Sequence, residues 1–272
     1  MTARETVSIE KQVESPVCRE VDELTQKDKY GYIPQKKPEH CLRLVLENYN
    51  SLCVFVSKKK VHDVNEMITR YEIDGLGGCE TQADWRYELY EQRFHEQLAK
   101  VKAKKSVVGF NCTERRIVRD QKGGTVMMAV GRFSTFVLDK GVDSTGLGRW
   151  CWILVGGPEK KTRITTAYQP CDPGHSTAGL TVWDQHARHF ESKNGDGRLP
   201  WTILCEDLFT QILQWKENKE ELILMGDFNE YVYEGFSLLC SENLRRALNL
   251  RCGTCSYVLR DYTTIQLQLE VS

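Results

Sequence analysis

Four short β-type runs of this chain are each followed, within a few residues, by polar side chains that can bind a metal ion or a phosphate. Taken singly, such a residue is more often a turn former. Because loops at strand ends collect reactive groups above a rigid sheet, together they are candidates for one oxygen-rich Mg²⁺ site. The runs are residues 42–46 before Asn48, 73–76 before Glu80, 163–167 before Tyr168, and 222–225 before Asp227 and Asn229.

Helical and strand-like periods alternate along the rest of the chain, which indicates a mixed α/β domain. Apolar residues at helical spacing predict helices within residues 61–71, 84–101 and 201–215. The sequence thus predicts strand–helix units at both ends of the domain and a β meander between them. Further β-type runs lie at 106–110, 125–130, 133–137 and 149–155, and a polar loop is predicted at 169–200.

The composition bounds the classes of protein to which the chain can belong. It carries 37 basic and 38 acidic residues and is 40% hydrophobic, which excludes a disordered tail, a collagen-like fibre and a histone-like polycation. No apolar run approaches the roughly 18 residues of a membrane span, and the N-terminal segment lacks the apolar core of a secretory signal. The sequence therefore predicts an intracellular protein of the nucleus or cytoplasm, not secreted and with no membrane partner.

The N-terminal segment has a composition of its own. Residues 1–39 are rich in charge, contain Pro16, Pro34 and Pro38, and show no sustained apolar period. We predict a poorly ordered charged leader over 1–39 and one domain over 40–272. Nothing in the pattern implies an obligate protein partner.

Basic residues are concentrated between residues 93 and 122. This stretch holds nine Lys and Arg against three acidic residues, a net charge of +6 in a chain of net charge −1. Such asymmetry favours a surface that faces phosphates, and the alternative is a solvated helix and loop. Three lysines at 58–60 either extend that surface or are simply exposed. The nucleic-acid-binding candidates are Lys100, Lys102, Lys104, Lys105, Arg115, Arg116 and Arg119.

A second candidate metal set is formed by two histidines and an aspartate. His186 and His189, with Asp184, would share one helical turn. Zinc sites need a third fixed ligand of suitable spacing, which the sequence does not offer, so a structural role is the stronger interpretation.

The segments around the strand-end residues resemble motifs of the endonuclease/exonuclease/phosphatase superfamily. Residues 226–229 read Gly-Asp-Phe-Asn, which is similar to the G-D-F-N signature of that family. The elements occur in the family's order across about residues 42–236, and among subfamilies the chain looks most like retrotransposon-type endonucleases, relatives of the apurinic endonucleases. The other elements are Asn48-Tyr-Asn50 for N-x-N, Glu80-Thr81 for Q-E-T, Gly123-Gly124-Thr125 for the G-G-x turn, and Tyr168-Gln-Pro170 for Y-x-P.

The resemblance implies a fold, a reaction and residue roles. The fold would be an α/β (α+β) four-layered sandwich of two packed mixed β-sheets flanked by helices. The activity would be Mg²⁺-dependent hydrolysis of DNA phosphodiester bonds by metal-activated water, with Mn²⁺ as an alternative ion and RNA as an alternative partner. Glu80 would be the principal metal ligand, with Asn48 and Asn50 in support. Asp227 would orient or deprotonate the water, Asn229 would hold the phosphate, and Tyr168 would contact the phosphate or the departing oxygen.

The chain also departs from the family pattern. The resemblance implies a C-terminal Asp and then S-D-H, but the last histidine here is His189, and Asp261 is the only Asp after Asn229. We therefore expect the last strands to be incomplete and the domain to be truncated at its C-terminal end. Cys79 stands where the family has Gln before Glu80. Two alternatives remain: a catalytically dead remnant that retains at most nucleic-acid binding, and a phosphatase acting on a small ester such as an inositol phosphate.

Overall fold

A computed structural model describes most of the domain predicted over residues 40–272. The described residues are 37, 41–52, 58–87, 90–98, 103–115, 117, 119–157, 160–174, 179, 181–195, 197–229 and 267–270. The predicted leader lies outside them except for Lys37, whose ammonium pairs with Asp74 at 2.8 Å. Residues 230–266, on which the predicted C-terminal truncation depends, also lie outside them.

The domain has strands and helices at both ends and a run of consecutive strands between them, as the sequence predicts. Two helices lie between strands of the N-terminal half, and two further helices precede the last strand before residue 230. The strands are β1 (Cys41–Asn48), β2 (Gly75–Cys79), β3 (Ala103–Gly109), β4 (Thr125–Val130), β5 (Val137–Val142), β6 (Trp150–Gly156), β7 (Lys161–Tyr168), β8 (Glu221–Asp227) and β9 (Leu267–Glu270); the helices are α1 (Lys58–Arg70), α2 (Tyr90–Leu98), α3 (Val182–Asn194) and α4 (Pro200–Glu217).

The strands form two mixed sheets. The first has five strands in the order β3-β4-β2-β1-β9, and the second has four in the order β5-β6-β7-β8. Each sheet contains one parallel pair, β1 with β2 and β7 with β8, and the other neighbours are antiparallel. Strand β9 completes the edge of the first sheet beside β1, with Cys41 opposite Glu270.

The two sheets pack face to face, and successive side chains of a strand point alternately between the sheets and away from them. On β1, Leu44 and Leu46 point between the sheets with Met127, Ile153 and Ile164. Val45, between them in sequence, points to the opposite face. That outer face is covered by α1 and α2, and α4 covers the outer face of the second sheet. The predicted four-layered sandwich of two mixed sheets flanked by helices is therefore confirmed. Among the described residues, no helix has the length and apolar character needed to span a membrane.

Two local predictions were wrong. In both places the chain forms a helix that the spacing of apolar residues does not indicate. In the run predicted as a strand at 133–137, residues 133–136 form the end of a 3₁₀ helix, Gly131–Phe136, and β5 begins only at Val137. The predicted loop at 169–200 contains α3, whose N-terminus is closed by a capping box between Thr181 and Asp184 and whose C-terminus is closed by Gly195 in the left-handed conformation. The Thr-x-x-Asp spacing was the available signal.

Candidate active site

The carboxyl ends of β1, β2, β7 and β8 meet at one edge of the sandwich. Within the first sheet Asn48 is opposite Cys79, so Asn48 and Glu80 leave the sheet side by side. Within the second sheet Tyr168 is opposite Asp227. The fold therefore brings four predicted site residues from four separate strands to one place.

Asn48 joins the two sheets through its side-chain amide. Its Nδ2 donates to Glu80 Oε1 at 2.9 Å and to Asp227 Oδ2 at 2.8 Å. Its Oδ1 accepts the backbone N–H of Asn50 at 3.0 Å, which fixes the orientation of the amide. One neutral side chain thus holds two carboxylates, one from each sheet.

The backbone around these side chains adopts an unusual conformation. Of the seven non-glycine residues with positive φ among those described, five lie here. Such a conformation costs about 1–3 kcal/mol per residue, and it persists where surrounding contacts enforce it, often at functional sites. The five are Asn50 (39°), Ser51 (82°), Glu80 (53°), Gln82 (49°) and Asn229 (48°).

Backbone hydrogen bonds enforce this conformation. Ser51 N–H donates to the Glu80 carbonyl, and Leu52 N–H donates to the Thr81 carbonyl, both at 2.8 Å. Gln82 N–H donates to the carbonyl of Gly123 at 2.8 Å. Gly123 and its neighbour Gly124 have φ of 77° and 91°, and a Cβ on Gly124 would lie 2.5 Å from Thr81 Oγ1. The predicted Gly-Gly turn therefore allows the loop of Glu80 to approach its neighbour closely.

Burial and charge set the protonation of the site. Burial raises the pKa of Asp227, and the Glu80 charge adds to that effect, while hydrogen bonds from Asn229 and Asn48 oppose it. Burial, with Glu80 and Asp227, also raises the pKa of Tyr168, which keeps its hydroxyl protonated. The Cys79 thiol donates to the Ala167 carbonyl at 3.3 Å, and burial raises its pKa well above the usual range, so it remains neutral.

Asp227 is further held by its own loop. Asn229 N–H donates to Asp227 Oδ1 at 3.1 Å, and Asn229 Nδ2 donates to the Gln169 carbonyl at 2.6 Å. Gln169 N–H in turn donates to the Asp227 carbonyl at 2.9 Å. Each oxygen of the Asp227 carboxylate accepts one hydrogen bond, and the remaining lone pairs can accept a bound water.

Two glutamines were missed by the sequence reasoning. Gln82 Nε2 lies 3.3 Å from Asn50 Oδ1 and 3.4 Å from Glu80 Oε2, and Gln169 supports Asn229. The only available signal was proximity in sequence, two residues after Glu80 and one after Tyr168.

The donor set is compatible with Mg²⁺. Among the described residues no cluster of three or more His, Cys, Asp or Glu side chains could hold a metal ion. Mg²⁺ needs only one or two carboxylates, because waters and substrate phosphates complete its octahedron. Glu80 and Asp227 supply such carboxylates within the reach of a single amide. Asn48 presents its nitrogen between them, while its oxygen is used by Asn50.

The basic candidates are divided between two ends of the first sheet. Lys105 on β3 is paired with Ala129 on β4, which is paired with Gly75 on β2. Lys105 therefore lies at the end of the sheet opposite Glu80. Its ammonium donates to the Val137 carbonyl at 3.2 Å. Arg115 and Arg119 are exposed in the loop after β3, at the end that carries Glu80. Lys100, Lys102, Arg116 and the side chain of Lys104 lie outside what the structure describes.

The His186, His189 and Asp184 set does not form a metal cluster within the described part of the chain. His186 is buried, and Asp184 serves the α3 capping box. Burial, with the Arg149 charge, lowers the pKa of His186 to about 3. The ring is therefore a neutral structural group.

This histidine predicts a pH-dependent stability. Its pKa is depressed in the folded chain, so only the unfolded chain takes up the proton as the pH falls below 6.5. The free energy of unfolding should then fall by up to about 1.4 kcal/mol per pH unit down to the folded pKa. Urea denaturation from pH 7 to pH 4.5 measures this slope, which His186→Gln should reduce and the exposed-site control His62→Gln should preserve. Equal slopes in all three proteins would contradict the assignment.

Comparisons with known proteins give similarity at the level of structure. No protein-family model matches the chain, and no curated protein matches it. An AP endonuclease from Archaeoglobus fulgidus is 16% identical with a TM-score of 0.44, covering 76% of this chain and 68% of that one. An endonuclease/exonuclease/phosphatase family protein from Leptotrichia buccalis is 13% identical with a TM-score of 0.45, covering 76% of this chain and 74% of that one. The human nocturnin catalytic domain is 12% identical with a TM-score of 0.44, covering 71% of this chain and 66% of that one.

Proposed function

We propose that the chain is a Mg²⁺-dependent phosphodiesterase of the endonuclease/exonuclease/phosphatase superfamily, of retrotransposon type, that hydrolyses DNA. The observation that carries this proposal is the Asn48 amide that links Glu80 to Asp227 across the two sheets. Two carboxylates, an amide and a protonated phenol at one edge of a rigid sandwich form a set suited to phosphate-ester hydrolysis. The family motifs in their order support the superfamily and the subfamily.

The metal ion would be held by Glu80, with Asn48 and Asn50 in support. When bound, it would neutralise charge on the phosphate and polarise the phosphorus–oxygen bonds. Asn48 holds the Glu80 carboxylate by a 2.9 Å hydrogen bond, which limits its rotation before the ion arrives. Gln82 supports Glu80 and Asn50 from the other side.

Asp227 would accept the proton of the attacking water. Burial raises its pKa above the usual carboxyl range, and a higher pKa makes a carboxylate a stronger general base. Asn48 and Asn229 fix the carboxylate through one oxygen each, so the water meets a base of defined orientation.

Asn229 and Tyr168 would bind the phosphate. Asn229 Nδ2 uses one hydrogen on the Gln169 carbonyl and retains a second for a phosphate oxygen. Tyr168, whose raised pKa keeps it protonated, can donate to the phosphate or to the departing oxygen.

A polymeric anion fits the surroundings better than a small phosphate ester. Arg115, Arg119 and Lys122 are exposed in the segment between β3 and β4, at the end of the sheet that carries Glu80. Cations beside a phosphate site favour substrates with several phosphates in a row. We therefore place DNA first, RNA second and an inositol phosphate third.

The test is nicking of supercoiled plasmid by the purified chain. We expect conversion to the open-circular form with Mg²⁺ and none with EDTA. Mn²⁺ should replace Mg²⁺, since both take oxygen ligands. A folded protein that nicks no DNA with either ion would overturn the proposal, and hydrolysis of a small phosphate ester instead would favour the phosphatase alternative.

A catalytically inactive DNA-binding remnant is the second candidate function. It is favoured by the position of the last histidine, His189, which precedes Asp227 in the chain although the family resemblance implies a histidine after it. Loss of one acid–base group costs about 10²–10⁴-fold in rate. Salt-dependent DNA binding without Mg²⁺-dependent nicking would support this candidate.

A further inference from the structure

One lysine side chain holds the loop that leaves β1. Lys60 Nζ donates to three successive carbonyl oxygens, those of Tyr49 at 2.8 Å, Asn50 at 2.8 Å and Ser51 at 2.9 Å. An ammonium has three donors, and all three are used here. Lys60 is half-buried, whereas Lys59 beside it is exposed. Lys60 therefore differs from a simple surface lysine.

Three carbonyl oxygens that converge on one point need a positive charge between them. Successive carbonyls of an extended chain point in alternating directions, but the left-handed φ of Asn50 and Ser51 turns these toward one side. Without a cation, three partial negative charges would face each other around an empty space. Rings of carbonyl oxygens of this kind replace the hydration shell of monovalent cations in ion channels.

This loop is directly connected to the candidate active site. Asn50 N–H holds the oxygen of the Asn48 amide, and Ser51 N–H holds the Glu80 carbonyl. Gln82 reaches Asn50 Oδ1. A shift of the loop would therefore change the position of Asn48 and, through it, of the two carboxylates.

We propose that Lys60 is a positioning residue whose ammonium acts as a tethered cation in a carbonyl cage formed by Tyr49, Asn50 and Ser51, and that this cage takes a free K⁺ or NH₄⁺ when the lysine side chain is removed. K⁺ is close in size to an ammonium group, and Li⁺ is much smaller and holds its water more strongly. The effect on catalysis rests on the proposed function, but the cage does not.

The first test follows amide hydrogen exchange at Ser51 and Leu52 in the full chain. In Lys60→Met with about 0.1 M LiCl, we expect exchange at least tenfold faster than in the wild type, and KCl or NH₄Cl at the same ionic strength should slow it again. The wild type and the exposed-site control Lys59→Met should not respond to the exchange of cations. Unchanged exchange in Lys60→Met, or faster exchange that no cation reverses, would overturn the proposal.

A second variant keeps the test decisive if Lys60→Met folds poorly. Lys60→Arg retains the charge, but its planar guanidinium cannot satisfy three oxygens that converge on one point. We expect faster exchange than in the wild type and no rescue by K⁺, because the side chain still blocks the cage. Exchange as slow as in the wild type would show that charge alone suffices and would overturn the cage.

The third test measures Mg²⁺-dependent nicking by the same variants. Lys60→Met should lose about tenfold in kcat with little change in KM, and K⁺ should restore most of the loss. A cation-responsive loop with an unchanged kcat would overturn the positioning role while leaving the cage. A wild type that never nicks DNA would count against the proposed function alone, because the exchange measurements need no catalysis.

Discussion

Asp227→Asn should nick supercoiled DNA about 10²–10⁴-fold more slowly than the wild type, at saturating Mg²⁺. The variant keeps the size of the side chain but removes the base that would accept a proton from water. In the wild type, Asn48 Nδ2 donates to Asp227 Oδ2 at 2.8 Å. The variant also replaces this carboxylate acceptor with an amide. Glu80→Ala should be at least as severe, because it removes the residue proposed as the principal metal ligand.

The control for both variants is Asp139→Asn, an exposed carboxylate on β5. It makes the same chemical change as Asp227→Asn and should leave nicking unchanged. Since Asp227→Asn removes a negative charge near the proposed phosphate site, DNA binding should persist or become tighter even as cleavage is lost. Retained cleavage in both Asp227→Asn and Glu80→Ala would refute the assignment of the site.

Arg149→Met should lower the free energy of unfolding by about 3–5 kcal/mol. Arg149 is fully buried, and it forms a bidentate pair with Asp143 at 2.7 and 3.0 Å and a third bond to Asp207 at 2.7 Å. Its guanidinium also lies 4.6 Å from the ring centre of Trp150. Burial alone would raise the pKa of Asp143, but the arginine reverses that effect and lowers it. Methionine would leave this carboxylate buried without its cation.

The matched control is Lys160→Met, which removes one partner of an exposed ion pair with Glu221. Exposed pairs contribute about 0–1 kcal/mol, so this variant should unfold close to the wild-type urea midpoint. Adding Asp143→Leu to Arg149→Met should recover part of the lost stability, since the double variant removes both members of this buried pair. A loss below about 1 kcal/mol for Arg149→Met would contradict this account.

Much of the fold could be predicted because the relevant information is local. Three of the four runs predicted before the candidate site residues lie within observed strands: 42–46 in β1, 163–167 in β7 and 222–225 in β8. The run at 73–76 overlaps β2 only at Gly75 and Leu76, because that strand extends through two further glycines to Cys79. The helix predicted at 84–101 begins only at Tyr90, because Asp84 instead accepts the backbone N–H of Arg86 and forms a turn. The spacing of apolar residues does not indicate where a side chain will bind the backbone in place of a helical hydrogen bond.

The long-range contacts of the site could not be predicted in this way. Asn48 and Asp227 are 179 residues apart, and no periodic pattern encodes the docking of one sheet on the other. The role of Lys60 was missed for the same reason, since its partners are backbone oxygens, which every residue carries. The basic stretch was predicted as one surface, but strand register places Lys105 and Arg115 at different ends of a sheet.

The position of the Asn48 amide has a consequence for refolding. Because its two carboxylate partners belong to different sheets, neither sheet alone can assemble the pair. Contacts this distant in sequence carry a large loop-closure cost and form late. Recovery of the proposed nicking activity after dilution from denaturant should therefore lag behind recovery of the far-ultraviolet circular dichroism, and the interval between them would time the docking of the two sheets.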